Sequence, residues 1–328
     1  MSKLKNIALV VQDGRLAYEA LLFLLSFRAS NPDFEGRIIL LEPQKNARWQ
    51  DAPEVQDANL RAVYEDLGAE IIPFENEIWG QRYPHGNKIE ALKAMPKGEP
   101  FVFFDTDTYF KGSLSDVPFD FARPSASLNV EGTWPKSTLY GPSLEEIWRA
   151  LYERFELDFE ASQEADVPTA HWRRYLYFNA GYFYGACPHE FGALFTRFAS
   201  EIESDPGEAL AAQVLYPWLD QIALPLVITA LNGGRDRDVA QALDGGVSRH
   251  YRSISLFYAR ETNEVIDGLE QLVAPNKYKK FLKNHEPFKK LIFQGKGRKI
   301  RDVIDLENLP RKEEAIRKKL KNQKLWMR

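Results

Sequence analysis

The chain has 328 residues but a single cysteine, Cys187, so no disulfide can form within it. This scarcity favours a reducing compartment. Long apolar runs are also missing: the run near the N-terminus, residues 20–25, is too short to cross a bilayer. The first residues lack the apolar core of a signal peptide. These absences predict a cytoplasmic protein.

A glycine-rich phosphate loop is missing as well. The first predicted strand, residues 7–11, is followed by Gln12-Asp13-Gly14-Arg15. This segment matches neither the dinucleotide-binding fingerprint nor the Walker motif. The sequence therefore argues against a dehydrogenase and against a P-loop enzyme.

The charges are unevenly distributed along the chain. Residues 275–328 hold 18 Lys/Arg and 6 Asp/Glu, a net charge of +12, and the preceding 274 residues carry −16. Because nucleic-acid-binding folds spread basic charge over a domain face, we expect no nucleic-acid partner. The basic tail, which also contains Leu320, Leu325, Trp326 and Met327, predicts a peripheral contact with the anionic inner face of a membrane. A solvated helical surface is the alternative.

The order of predicted elements indicates an α/β fold. Apolar strands at 7–11, 37–41, 69–74 and 101–104 alternate with helices at 15–29, 57–67 and 87–95. Repeated strand–helix units predict a mostly parallel sheet flanked by helices, with right-handed crossovers. Since 44% of the residues are hydrophobic, the chain is able to bury a substantial core.

Two aspartates follow the fourth predicted strand. Asp105 and Asp107 come directly after Phe-Val-Phe-Phe, a run that suits a strand buried on both faces. Unpaired carboxylates are costly to bury, so both are expected at the strand's C-terminal end, where open α/β sheets bind ligands. The pattern fits an Asp-rich turn, the aspartyl-phosphatase motif or a D-x-D metal motif. Tyr109 stands where phosphatases carry Thr or Val, and about a hundred residues precede the motif.

The preceding helix favours the metal motif. Residues 87–92, Asn-Lys-Ile-Glu-Ala-Leu, and residues 101–110 resemble the nucleotide-sugar half of a GT-A glycosyltransferase. The resemblance implies a GT-A-like, Rossmann-like fold and a nucleotide-sugar donor. It also implies that Lys88 neutralises the donor phosphate or holds its ribose. Asp105 then faces the ribose or a metal-bound water, and Asp107 ligates the metal. A solvated helix face is the alternative for Lys88.

Two later segments continue the resemblance. Asn179-Ala180-Gly181 lies among aromatic residues, which suits a strand with a close backbone approach. It is similar to the family's segment beside the donor sugar. Asp220-Gln221 opens a predicted helix, as in the family, which implies that Gln221 contacts the donor and that Asp220 takes part in the chemistry. The alternative for Asp220 is a helix cap.

A late histidine completes the expected metal site. Related transferases often supply such a residue as a further ligand, which implies Asp105, Asp107 and His250 as the metal ligands. An imidazole beside carboxylates suits Mn²⁺ better than Mg²⁺. A surface position beside Arg249 and Arg252 is the alternative for His250.

The acceptor is expected to bind the region between residues 122 and 175. Aromatic rings stack on sugar faces, and Trp134 is the candidate there, whereas Trp148 lies at helical spacing and is expected in the core. The acceptor class stays open among a glycan, a lipid-linked acceptor and a protein.

The sequence as a whole predicts a GT-A-like domain at 1–255 and a helical, basic C-terminal extension at 256–328. The expected activity is metal-dependent transfer of a sugar from a nucleotide sugar. Two other functions stay open: an aspartyl-phosphatase-type hydrolase, and a non-catalytic domain that binds a nucleotide sugar or glycan.

Overall fold

The computed structural model describes residues 3–136, 140–310 and 312–327. Its strands are β1 Asn6–Val10, β2 Arg37–Pro43, β3 Ala69–Phe74, β4 Phe101–Phe104, β5 Thr108–Phe110, β6 Ser125–Ser127, β7 Asn179–Gly185 and β8 Ser248–His250. Its helices are α1 Arg15–Ser30, α2 Ala58–Asp66, α3 Asn87–Glu90, α4 Leu144–Arg154, α5 Pro188–Ser204, α6 Gly207–Leu210, α7 Leu219–Ala230, α8 Arg237–Gln241, α9 Ile254–Arg260, α10 Asn263–Leu272, α11 Asn276–Leu282, α12 Glu286–Phe288, α13 Lys296–Val303 and α14 Glu313–Asn322.

Six strands form one sheet in the order β3-β2-β1-β4-β7-β6. The strands β3, β2, β1 and β4 run parallel, and Asn6 pairs with both Arg37 and Phe101. The strand β7 is antiparallel to β4 and to β6. The predicted α/β architecture, a mixed and mostly parallel sheet flanked by helices, is confirmed. A separate two-stranded sheet joins β5 to β8.

Both faces of the large sheet are buried. Along β1, Ile7 and Leu9 face one hydrophobic cluster, whereas Ala8 and Val10 face a second one. This alternation follows from the two-residue period of a strand. The first cluster includes α1 and the C-terminal helices, and the second includes α4, α5 and α7. The apolar run of β4 is therefore covered on each side, as expected for a central strand.

The C-terminal extension is helical, and its apolar residues pack into the first cluster together with α1. Leu320 on α14 is fully buried and Leu325 nearly so. Trp326 and Met327 pack against the same cluster. The predicted domain boundary at residue 255 lies inside α9, and the division at that point stays a prediction. Among the described residues, no helix combines the length and the apolar character that crossing a membrane requires.

The predicted stacking of Trp134 on an acceptor sugar is wrong. Trp134 is 2% exposed, packs edge-to-face on Trp148 at 5.5 Å and donates its indole N–H to the carbonyl of Val214. A ring in this position is part of the core and offers no face to a sugar. Trp148 is buried, as predicted.

Candidate active site

The turn formed by residues 105–107 lies at the C-terminal end of β4. The backbone N–H of Asp105 donates to the carbonyl of Gly181 on β7 (2.8 Å). The carbonyl of Asp107 accepts from the N–H of Tyr251, just after β8 (2.8 Å). Both ends of the turn are thus held by strands from later parts of the chain, which fixes the direction of the two carboxylates.

His250 reaches these carboxylates because β8 pairs with β5, where it lies opposite Thr108. Its Nε2 is 3.1 Å from Asp107 Oδ1 and 3.8 Å from Asp105 Oδ2. One ligand atom from each of the three residues lies within 4.8 Å of the others. Ligands about 2.1 Å from one ion are separated by about 3–4 Å, so the three side chains fit a divalent cation. His250 is largely enclosed, so the surface alternative is wrong.

The charges near Asp107 favour its ionised form. Burial alone would raise the pKa of Asp107, but His250 attracts and hydrogen-bonds the carboxylate, and Arg15 and Lys88 add positive potential. The net effect lowers the pKa of Asp107 well below its usual range. A carboxylate that is ionised at neutral pH is in the form that binds a cation.

Gly181 provides the space that His250 occupies. A Cβ atom at Gly181 would lie 2.1 Å from Nδ1 of His250 and 2.8 Å from Oδ1 of Asn179. That Oδ1 accepts the N–H of Gly181 (2.9 Å), so Asn179 folds back onto its own strand. Asn179 and Ala180 line the cleft itself. Gly181 therefore acts on the site by admitting the imidazole.

Replacing Gly181 by alanine should displace His250 and weaken Mn²⁺ binding by about 10-fold or more, as other disturbances of ligand orientation do. Calorimetric titration of the protein with MnCl₂ measures this. Gly268→Ala is the matched control, because a Cβ on Gly268 meets nothing within 4 Å. An unchanged Mn²⁺ affinity in Gly181→Ala would show that His250 does not bind the ion from this position.

Lys88 joins two of the predicted acids. Its ammonium is 2.8 Å from Asp105 Oδ1, 3.5 Å from Asp220 Oδ2 and 3.1 Å from the carbonyl of Ala180. Burial would lower the pKa of Lys88, but the two aspartates outweigh it and raise the pKa. Lys88 is 7% exposed, so the solvated-face alternative is wrong. The structure places Lys88 between the metal cluster and Asp220, while its contact with a donor stays a prediction.

Asp220 lies in the first turn of α7 and is 2% exposed. The residue that caps α7 is Trp218, and no side chain makes a capping bond there. Asp220 Oδ1 instead accepts the hydroxyl of Tyr83 (2.9 Å). Its neighbour Gln221 accepts the hydroxyl of Tyr177 (3.1 Å). Asp220 is thus held in the cleft wall by tertiary contacts, which removes the capping explanation.

Arg15 and Glu19, one turn apart on α1, belong to the same site and were not predicted. Arg15 Nη1 is 3.1 Å from Glu19 Oε1 and 4.0 Å from Asp107 Oδ2, and Glu19 Oε2 accepts the hydroxyl of Thr106 (2.9 Å). Burial and the charge of Asp107 raise the pKa of Glu19 to about 8. The sequence did contain a signal for Glu19. It is an acidic residue on the buried side of an otherwise apolar helix, and a buried acid requires a partner.

The turn at 105–107 surrounds a cleft of about 410 Å³ together with Arg15, Lys88, Asp220 and His250. Its wall includes most of the predicted site residues: Lys88, Asp105, Asp107, Asn179, Ala180, Asp220, Gln221 and His250. Residues from five separated segments of the chain therefore meet at the edge of the sheet where a ligand is expected. Carboxylates, an imidazole and a buried lysine in one cleft suit a phosphate-bearing ligand bound through a cation.

A protein-family model matches most of the chain. It is the family model of the Rhodobacterales glycosyltransferase domain, and it matches residues 7–232. That range includes Lys88, the two aspartates of the turn and Asp220, whereas His250 lies beyond it. No curated protein matches the chain.

Several solved glycosyltransferase structures are distantly similar. The galactosyltransferase LgtC, in complex with donor and acceptor sugar analogs, has 14% identity and a TM-score of 0.47 over 84% of this chain and 99% of its own. The bifunctional WbbM has 12% identity and a TM-score of 0.47 over 90% and 52%. GlyE from Streptococcus pneumoniae TIGR4 has 12% identity and a TM-score of 0.39 over 94% and 53%.

Proposed function

This chain belongs to the Rhodobacterales glycosyltransferase domain family, and from that premise we propose that it transfers a sugar from a nucleotide-sugar donor with the help of a divalent cation. The observation that supports the cation is the convergence of Asp105, Asp107 and His250 within 4.8 Å. The aspartyl-phosphatase motif also consists of an apolar strand followed by two aspartates, so the motif alone does not exclude that function. Membership of a glycosyltransferase family argues against it.

The proposed ligands suit Mn²⁺ better than Mg²⁺. Two carboxylate oxygens and an imidazole nitrogen form a mixed donor set, which favours Mn²⁺ over the oxygen-preferring Mg²⁺. Asp105 would present Oδ2 to a cation, because its Oδ1 accepts a hydrogen bond from the ammonium of Lys88. A cation held by these residues would supply a Lewis acid for the negative charge that builds on the departing nucleotide.

The remaining residues supply binding and positioning. Lys88 is fixed by the carboxylates of Asp105 and Asp220, so its positive charge adds to the field that the leaving diphosphate meets. Asn179, Ala180 and Gln221 line the wall and are proposed to contact the donor. Asp220 is proposed as the carboxylate that acts on the acceptor hydroxyl or on the charge of the donor sugar.

A panel of donors tests the proposal. The protein is heated with UDP-, GDP-, CMP- and dTDP-sugars, each with MnCl₂ and each with EDTA. A ligand at 100 times its dissociation constant stabilises the folded state by about 2.7 kcal/mol, so a true donor should raise the melting temperature clearly. We expect donors of one nucleotide class to raise the melting temperature, and to do so only when Mn²⁺ is present. No shift with any donor, or equal shifts in EDTA, would contradict the proposal.

The acceptor is proposed only as a class, namely a glycan, a lipid-linked acceptor or a protein. Turnover of the stabilising donor distinguishes the transferase from the non-catalytic binding domain. Turnover is measured as release of the nucleotide, which is CMP from a CMP-sugar and a nucleoside diphosphate from the other donors. The binding domain would bind the donor without releasing the nucleotide.

The basic C-terminal extension is proposed to contact an anionic membrane surface. Leu320 and Leu325 are buried in the core and not available to a membrane, so we assign the contact to the exposed lysines. Replacing the exposed Lys277, Lys280, Lys283 and Lys289 by alanine should reduce flotation with anionic vesicles at low salt, since each basic residue contributes about 1 kcal/mol near the surface. Neutral vesicles are the control. Equal recovery of the variant and the unchanged protein would refute the contact.

A further inference from the structure

Three arginines and two glutamates meet where α14 packs beside the cleft. Glu313 is 3% exposed and contacts Arg252 (3.1 Å), Arg260 (3.3 Å) and Arg317. Glu131 contacts Arg252 (3.2 Å) and Arg260 (3.0 Å). Three guanidinium charges thus face two carboxylates. The group carries one positive charge that its own acids do not compensate.

Two of these arginines, Arg252 and Arg317, line the cleft together with the predicted metal ligands. Arg252 comes two residues after His250 and has a φ of 58°, in the left-handed region that residues other than glycine rarely adopt. Its guanidinium also donates to the carbonyl of Asn129 (2.8 Å). Backbone strain of this kind persists where the surroundings impose it and is frequent at ligand sites.

One N–H group of Arg317 has no hydrogen-bond acceptor among the described residues. This group, the Nε–H, is buried, although the side chain as a whole is 37% exposed. The guanidinium lies over the ring of Trp326 at 5.2 Å, which holds it beside the cleft. A buried N–H without a partner is costly, and a ligand that supplies an acceptor removes that cost.

We propose that Arg317, supported by Arg252, binds a phosphate-type oxyanion of a substrate in this cleft. A guanidinium presents two parallel N–H groups that match phosphate oxygens. The oxyanion comes either from the donor diphosphate or from a phosphate group on the acceptor. The inference rests on the proposed function, because it adds a contact to the same cleft. It also assigns a binding role to α14, which lies beyond the family match at residues 7–232.

Calorimetry with the nucleoside diphosphate of the stabilising donor, in MnCl₂, tests the first source. Arg317→Met keeps an apolar stem on Trp326 and removes the charge and the fork. We expect affinity to fall by about 10-fold or more and to depend less on added salt. Arg317→Lys keeps the charge and should lose less. Lys318→Ala removes a neighbouring positive charge on the same helix outside the cleft wall, and it should bind like the unchanged protein.

Glycerol 3-phosphate tests the second source, titrated with the nucleoside diphosphate present and absent. Binding to the unchanged protein but not to Arg317→Met would place the oxyanion on the acceptor. Equal binding of both ligands to Arg317→Met and to the unchanged protein would overturn the inference. So would failure of the unchanged protein to bind either ligand. If the unchanged protein binds glycerol phosphate but no nucleoside diphosphate, the donor proposal fails, and the second titration alone decides the role of Arg317.

The melting temperature separates binding from a structural effect of these substitutions. A variant that binds weakly but melts like Lys318→Ala has lost a ligand contact. If Arg317→Met melts much lower, Arg317→Lys provides the decisive comparison, because it retains a partner for Glu313. Normal affinity in a well-folded Arg317→Lys and in Arg317→Met would assign Arg317 to the packing of α14 alone.

Discussion

Asp107→Ala should abolish the Mn²⁺-dependent binding of the nucleoside diphosphate while the fold remains intact. Asp107 lies 3.1 Å from His250, and its surroundings lower its pKa, so its carboxylate is in the ionised form that binds a cation. Disturbing a residue that only orients a metal ligand costs about 10–100-fold in affinity, and removing a ligand should cost more than about 100-fold. Asp107 is also attracted to His250, Arg15 and Lys88, so its removal should cost some stability, and the melting temperature is therefore measured beside the affinity.

The measurement is a calorimetric titration of nucleoside diphosphate at saturating MnCl₂, alongside the melting temperature of the metal-free protein. Asp33→Ala is a suitable control, because it removes an exposed carboxylate that does not line the cleft. The metal proposal would have to be withdrawn if Asp107→Ala bound the diphosphate in Mn²⁺ as well as the control does.

The sheet was predictable because its apolar runs are short, well separated and alternate with amphipathic helices. Strands at 7–11, 37–41 and 69–74 correspond to β1, β2 and β3 within two residues at each end. The direction of β7 was not predictable in the same way. An apolar and aromatic strand has the same sequence pattern in parallel and in antiparallel sheets. Its direction depends on how the chain returns to β4.

The close approach of Lys88, Asp105 and Asp220 was predictable from the order of strands and helices. Residues at the C-terminal ends of parallel strands, and on the first turns of neighbouring helices, meet at one edge of the sheet. His250 was reached only through the family resemblance. The strand that carries it has three residues, Ser248–His250, which is too short for a pattern, and its partner β5 is equally short.

Arg317 and Trp134 show what sequence patterns leave undetermined. Arg317 is 67 residues beyond His250 and arrives at the cleft through the packing of six helices, which no local pattern encodes. Trp134 lies in an irregular loop that reads as exposed, yet Trp148 and the carbonyl of Val214 provide it with a buried environment. In both cases long-range packing decides the role of the side chain.

Asp220→Asn should lower kcat by roughly 10²–10⁴, the usual effect of removing a positioned acid–base group, while donor affinity changes by a few-fold at most. Asparagine keeps the shape and the oxygen that accepts the hydroxyl of Tyr83. What disappears is the negative charge, 3.5 Å from the ammonium of Lys88. A group that matters more in the transition state than in the ground state shows this separation of turnover from binding.

Tyr83→Phe distinguishes catalysis from positioning. It removes the hydroxyl that bonds Asp220 Oδ1 and leaves the carboxylate and its charge. If Asp220 carries the chemistry, Tyr83→Phe should reduce kcat less than Asp220→Asn does, since a misplaced carboxylate still acts in part. Steady-state kinetics and melting temperatures of both variants provide the comparison. Normal turnover in a well-folded Asp220→Asn would reduce Asp220 to a counterion of Lys88, because its capping role is already excluded by the geometry of α7.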